Sequence, residues 1–203
     1  MKKKLILGLG TGRCGTLFLF DFLSNQRNVF FTSEAVRWGW YSKNTIDKKI
    51  YPIDVWLKSE KKIVGDIGSF TLPHVTKINK IFSDIKLIVL QRNLEQTVKS
   101  WIKWTNVKHN FWVPHKNGIW EDDIYDDLFP KFNLEKFSKE DAIKAYYHFY
   151  YATCKKLEKK FQILWLKTED LNNIETKKSI LTYCHIDKDD WNLDANCRTN
   201  SSS

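Results

Sequence analysis

The stretch Lys4-Leu-Ile-Leu-Gly-Leu9-Gly-Thr-Gly-Arg13-Cys-Gly-Thr16 decides how the rest of the chain is read. Lys4 to Leu9 is a short apolar run without alternation, the pattern of a strand covered on both faces of a parallel sheet. Gly10, Gly12 and Gly15 follow at once, and Thr16 to Leu23 is then almost wholly apolar before Ser24-Asn25-Gln26 ends the run. Strand, tight turn and buried helix make a βα unit. The turn of such a unit favours an anion, because free backbone N–H groups and the positive end of the helix dipole converge there. Arg13 adds a forked cation and the Thr16 hydroxyl one more donor. A tight turn that binds nothing is the plainer alternative, and three glycines with Arg and Thr at the helix start argue against it.

Outward from this unit, Val29 to Thr32, Lys62 to Val64 (ending at Gly65-Asp66), Lys86 to Leu90 and Phe161 to Leu166 read as further strands. A helical stretch opens at Pro73. Asn93 caps the helix after the Lys86 to Leu90 strand, with Gln96 as its capping-box partner. Ser138, with Asp141, opens a long amphipathic helix whose apolar positions are Ala142, Tyr146, Phe149, Tyr150, Thr153 and Leu157. Thr176 to Cys184 reads as the last helix. Strands alternating with helices predict an α/β fold of three layers, with a mainly parallel central sheet, helices on both faces and ligands beyond the carboxyl ends of the strands. At 203 residues and 42% hydrophobic content, one domain over 1–203 is expected. A lid or acceptor loop is expected at 106–130, where the pattern is neither helical nor alternating, and an irregular tail at 187–203.

The formal charge of +9 attracts polyanions or anionic small molecules. The lysines are scattered and carry no nucleic-acid signature, so nucleic acid is not the expected partner. Four cysteines without a CxxC pair suggest neither a zinc knuckle nor a disulfide framework, and a reducing compartment fits. Met1-Lys-Lys-Lys before Leu5 imitates a signal peptide, but the glycines and Arg13 interrupt the apolar run and no cleavage site follows. No segment reaches the roughly 18 apolar residues of a membrane span. A cytoplasmic location is therefore expected. Oligomeric state is not indicated.

Gly10 and Gly15 have the separation of a Walker A loop, but Thr16 stands where its lysine belongs. The strand ending at Leu90 runs into Gln91-Arg92 instead of a magnesium carboxylate, and Ile63-Val-Gly-Asp66 is only a short substitute. A nucleotide or small-molecule kinase on a P-loop fold remains one alternative, and a nucleotide-binding module without chemistry another.

The residues from Gly10 to Thr16 resemble the 5'-phosphosulfate loop of the cytosolic and Golgi sulfotransferase superfamily, approximately G-x-x-[RK]-[ST]-G-T-x-x-[LW]. These enzymes carry a P-loop-type nucleotide-binding fold and use 3'-phosphoadenosine 5'-phosphosulfate (PAPS) as donor, releasing adenosine 3',5'-bisphosphate (PAP). The resemblance implies that Gly12, Arg13, Cys14, Gly15, Thr16, Leu17 and Phe18 hold the donor, with Arg13 offsetting charge on the leaving phosphate and Phe18 beside the adenine. Cys14 departs from the usual Ser or Thr, which costs one side-chain hydrogen bond. A second element, a strand ending in Arg-[ND]-Pro with a serine in the next helix, is matched by Ile88-Val-Leu-Gln-Arg92-Asn93 and Ser100, with Leu94 in place of proline. It implies that Arg92 and Ser100 bind the 3'-phosphate. Lys167-Thr-Glu-Asp-Leu171 is similar to the family's [KR]-[YT]-E-D-L junction, and Arg198 in the tail is a further candidate for the donor site.

Sulfuryl transfer needs a base for the acceptor's proton and positive charge at the leaving oxygen, and requires no metal. Glu34, in Phe31-Thr-Ser-Glu34-Ala-Val-Arg-Trp38, resembles the glutamate proposed as base in glycan sulfotransferases and is the first candidate. Pairing with Arg37 is its plainer reading. Asp66, in Gly65-Asp-Ile-Gly-Ser69, is the second candidate, and His109 or His115 the third. Trp38, Trp40, Trp104, Trp112 and Trp120 suit the walls of a glycan or small-molecule acceptor site, although each serves a core equally well. The acids from Glu121 to Asp127 favour a cationic or hydroxyl-rich acceptor or simply a solvated loop.

Overall fold

Residues 3–35, 52–107, 138–195 and 197 are described by the computed structural model. Within them β1 (Lys4–Leu9), β2 (Val29–Ser33), β3 (Ile63–Ile67), β4 (Ile85–Gln91) and β5 (Ile163–Lys167) form one sheet, all pairs parallel, in the order β2-β3-β1-β4-β5. The helices are α1 (Thr16–Ser24), α2 (Ile53–Lys58), α3 (Val75–Ile78), α4 (Leu94–Val107), α5 (Lys139–Leu157) and α6 (Ile174–Cys184).

The unbroken apolar run of β1 has its explanation in two covered faces. Successive strand residues point to opposite sides. Leu5, Leu7 and Leu9 join Leu87 and Val89 of β4 under Trp56 of α2, Val75 of α3, Val98 of α4 and Tyr146 of α5. Ile6 joins Ile88 and Leu90 under Leu19 and Phe22 of α1 and Ile180 and Leu181 of α6. Each such fully buried aliphatic side chain contributes about 1.5–3 kcal/mol. The three-layer parallel architecture expected from the sequence is the one observed, and no helix among the described residues is long and apolar enough to cross a membrane.

Several boundaries differ from the sequence expectation. β3 runs through Gly65 to Ile67, so Asp66 lies inside the strand. Gly65 is a packing device there, since a Cβ would strike the Ile6 carbonyl and the Phe31 ring. Pro73 belongs to a 3-10 turn, Leu72–His74, that leads into the one-turn α3. Helix α2 has no counterpart in the sequence expectation, since its six residues are too few to show a periodicity. Ser138 and Asp141 close the expected capping box on α5. At α4, Asn93 Oδ1 accepts the Gln96 N–H at 3.2 Å, but the Gln96 side chain takes Arg92 Nε at 3.2 Å instead of closing the box. Residues 106 and 107 are the last of α4, and the remainder of the expected 106–130 loop lies outside the described residues. From 187 to 195 the tail is irregular apart from a 3-10 turn at Lys188–Asp190. It is nonetheless anchored: Asn192 N–H donates to Gln26 Oε1 at 2.6 Å, and Lys177 Nζ to the Leu193 carbonyl at 2.9 Å.

The strand order positions the site. β1 has β3 on one side and β4 on the other, and the chain leaving β1 runs to α1 on one face while those leaving β3 and β4 run to α3 and α4 on the other, the arrangement at which sheets of this kind bind ligands.

Candidate functional site

The loop Gly10 to Gly15 fills the carboxyl end of β1 and is shaped by three left-handed residues: Gly12 at φ 76°, Arg13 at φ 57° and Gly15 at φ 91°. A non-glycine residue held there costs of order 1–2 kcal/mol, so the position of Arg13 points to a use for its backbone geometry. Gly12 has a second reason to lack a side chain, because a Cβ would lie 2.9 Å from the Trp101 ring. α1 starts at Thr16 without a side-chain cap, which leaves its first-turn N–H groups for an anion.

Two guanidinium groups meet at this loop. Arg13 Nε donates to Ser100 Oγ at 3.1 Å, and Arg92 Nη1 donates to the Arg13 carbonyl at 3.1 Å. Burial, then the nearby charge of Arg92, lower the Arg13 pKa from its ordinary value. The ion pairs recorded among the described residues involve lysines only, on the surfaces of α2, α5 and α6. Two clustered cations beside uncapped N–H groups suit a ligand carrying more than one negative charge.

Cys14 is fully buried with its sulfur against the Gly10 backbone, and burial pushes its thiol up to about 11. The side chain faces into the protein, towards Thr11 and Tyr151, so the missing Ser or Thr hydroxyl is not missing from the open side of the loop. Thr168 fixes the loop from outside: its hydroxyl donates to the Cys14 carbonyl at 2.6 Å, and it lies with Leu171 within about 3 Å of a Cβ placed on Gly15. The Lys167 to Leu171 junction is thus a support for the loop.

Helix α5 supplies residues that the sequence pattern did not single out for the site. Tyr150 accepts the Gly10 N–H at 3.0 Å and donates to the Ser69 carbonyl at 3.2 Å. Tyr151 donates to the Leu90 carbonyl at 2.7 Å and Tyr147 to the Arg92 carbonyl at 2.8 Å. One helix therefore touches the carboxyl ends of β1, β3 and β4. The available signal was the residue type: a stripe meant only to fill space does as well with Phe or Leu, whereas a buried tyrosine needs a partner for its hydroxyl.

Phe18 is 7% exposed, with its ring near Phe22 (centroids 6.4 Å apart) and Lys177 Nζ 6.0 Å from its centroid. It belongs to the core under α1 and α6, with Leu17 half-buried beside it. Trp104 is partly buried and packs edge-on to Trp101 at 5.4 Å.

At the carboxyl end of β2, Glu34 has a left-handed conformation, φ 49°, is half-buried and has its N–H on the Ile67 carbonyl at 3.0 Å. Gly68 lies against it, a Cβ there meeting Glu34 Cα at 3.1 Å. Asp66 has no exposed surface; its Oδ1 accepts from the Thr32 hydroxyl at 2.7 Å and the Ala35 N–H at 3.1 Å, and its Oδ2 from the Thr71 hydroxyl at 3.1 Å. The structure thus brings Arg13, Arg92 and Ser100 together, and sets Glu34 beside Asp66 at the ends of β2 and β3. Arg37, Trp38, Trp40, His109, Trp112, His115, Trp120 and Arg198 lie outside the described residues.

No protein-family model and no curated protein sequence matches this chain. Solved structures do. A sulfotransferase from Alicyclobacillus acidocaldarius matches with a TM-score of 0.61 at 13% identity, over 93% of this chain and 83% of its own. The fold is that of a sulfotransferase. The mouse sulfotransferase SULT7A1, solved in complex with PAP, matches with a TM-score of 0.51, also at 13% identity, over 92% of this chain. The match spans 61% of the mouse enzyme. At this identity the likeness lies in the path of the backbone, and function has to be argued from the site.

Proposed function

We propose that the chain transfers the sulfuryl group of PAPS to a hydroxyl or amine of a glycan or small-molecule acceptor. The observation that carries this reading is the meeting of Arg13, Arg92 and Ser100 beside the uncapped start of α1. A nucleotide with phosphates at both 3' and 5' positions has charges in two places, and these residues offer one cation for each. The mouse neighbour's complex with PAP supports the same cofactor class.

When bound, PAPS supplies a sulfuryl group on a phosphate leaving group. Arg92 and Ser100 bind the 3'-phosphate, a task to which Arg198 of the tail is suited as well. Cys197, its neighbour in the sequence, lies near Asp21 of α1 and Lys177 of α6. Gly12 to Thr16 bind the 5' side through backbone N–H groups, and Arg13 swings from Ser100 to offset negative charge there. Lys177 and Phe18 border the same face of α1. Glu34 accepts the acceptor's proton. Asp66, buried and holding both Thr32 and the Ala35 N–H, sets the turn that aims Glu34, a positioning role in place of direct proton transfer. His109 is retained as a second candidate for the base. The single domain over 1–203 and the cytoplasmic location belong to this reading; three of the four cysteines are buried free thiols, which suits a reducing compartment.

The test is calorimetric titration with PAP and, separately, with ATP, each with and without magnesium. Micromolar binding of PAP that is indifferent to magnesium is expected. Preference for ATP with magnesium would replace this reading by the kinase.

A further inference from the structure

The ladder between β1 and β3 ends where the two chains must part, one turning into the glycine loop and the other towards Glu34. Its last backbone bond beyond the paired strands runs from Gly68 N–H to the Gly8 carbonyl at 2.9 Å. One step further on, the Gly10 N–H and the Ser69 carbonyl are joined through the Tyr150 hydroxyl, which accepts from the first at 3.0 Å and donates to the second at 3.2 Å. Gly10 is buried, Ser69 is 3% exposed and Tyr150 has no exposed surface, so water has no access to take over either bond. Burial also raises the phenol's pKa well above its ordinary value, so the hydroxyl keeps the proton it donates to Ser69.

We infer that Tyr150 is a positioning residue for the reaction: its hydroxyl ties the donor loop to the acceptor-side segment Gly68 to Phe70, and so fixes both the start of the anion cradle and its distance from Glu34. The inference rests on the donor site proposed above. Because the phenol takes the Gly10 N–H, the cradle begins beyond Gly10, with the amides from Gly12 onward. Of its neighbours on α5, Tyr147 acts on β4 at the Arg92 carbonyl, and Tyr151 joins the Leu90 carbonyl of β4 to Thr11 and Cys14 of the loop. Tyr150 is the one whose hydroxyl spans the donor and acceptor sides.

The experiment compares wild type with Tyr150→Phe and Tyr183→Phe in the full chain. Tyr183 is the control, since its hydroxyl joins the Leu87 and Gln162 carbonyls at 3.0 and 2.7 Å without touching the loop. Tyr150→Phe keeps the ring and strands one buried donor and one buried acceptor, so the Kd for PAP is expected to rise about tenfold. Tyr183→Phe is expected to leave it within about twofold of wild type, because the bonds it loses lie away from the cradle. A Tyr150→Phe protein that binds PAP as tightly as wild type overturns the inference and leaves the donor site standing. A wild type that does not bind PAP removes the donor site and the inference together. Amide exchange in the wild type decides the matter if the variant does not fold. The Gly10 amide is expected to be protected equally with and without PAP, while the amides of Arg13 to Thr16 slow only when PAP is added. Protection of Gly10 that appears only with PAP overturns the inference.

Discussion

At the residue scale, Arg92 braces the loop and is proposed to bind a phosphate, and the two roles are separable. Its Nη1 supports the loop through the Arg13 carbonyl, and its Nε is held by Gln96, which leaves one nitrogen of the fork for a phosphate. If Arg92 contacts the 3'-phosphate, Arg92→Ala should weaken PAP by about 10- to 100-fold, the range for a charge-assisted hydrogen bond lost at a phosphate. Adenosine 5'-phosphate, lacking the 3' group, should lose far less. Equal losses for the two ligands, measured by the same calorimetry, would mean that Arg92 acts only by bracing the loop. Cys14 illustrates the opposite case, a residue in the middle of the glycine loop whose side chain faces away from the loop's open side. Buried completely, with its thiol pushed up to about 11, it is expected to be inert to thiol reagents while the protein stays folded.

At the scale of elements, the sequence was most legible where one local pattern was enough. The β1 run, the glycines after it and the apolar α1 each carry their own signature, and the Lys4–Leu9 strand stands where the pattern put it. Arg92 and Ser100 were legible as a pair because their spacing along one strand and helix is local. Partners contributed by distant elements were not legible. Periodicity marks Tyr150 as buried, but only the packing of α5 over the sheet brings its hydroxyl to Gly10. Asp66 read as a loop acid because Gly65 looks like a strand end, whereas tight contact with Phe31 makes that glycine part of the strand. The far end of the sheet holds another such junction. His185, the left-handed C-cap of α6, meets Lys4 Nζ of β1 at 2.6 Å from Nδ1 and Lys86 Nζ of β4 at 2.7 Å from Nε2. A neutral imidazole has one accepting nitrogen and can take a hydrogen bond from only one of these ammonium groups, and a protonated one can take none. Burial, then Lys4 and Lys86, lower its pKa, against a smaller opposing effect of Asp84. The unfolded chain therefore takes up this proton first as pH falls through about 6.5, and stability drops from there until the folded histidine is also protonated. Melting between about pH 7.5 and about pH 5.5 should show a larger decline in Tm for wild type than for His185→Asn, which tolerates the left-handed backbone and does not titrate. Parallel declines would show that another group governs the acid limb.

The whole molecule adds a field to the contacts. With a formal charge of +9, the chain attracts anionic small molecules before any specific bond is made, and for the proposed donor this long-range share is open to salt in a way that contacts with Arg13 and Arg92 are not. The screening length falls from about 10 Å at 0.1 M salt to about 3 Å at 1 M, so charges spread over the surface are lost to the ligand first and groups in contact with it last. Stopped-flow binding of PAP between about 0.05 M and about 0.5 M salt should therefore show the association rate falling several-fold while the dissociation rate changes by less than about twofold. If the dissociation rate carries most of the change, the bound state itself is held by exposed, screened charges, and the half-buried pair beside Ser100 would not be the principal phosphate contact. If neither rate responds, the basic surface plays no part in donor capture, and the two arginines together with the first turn of α1 must account for the whole of the affinity.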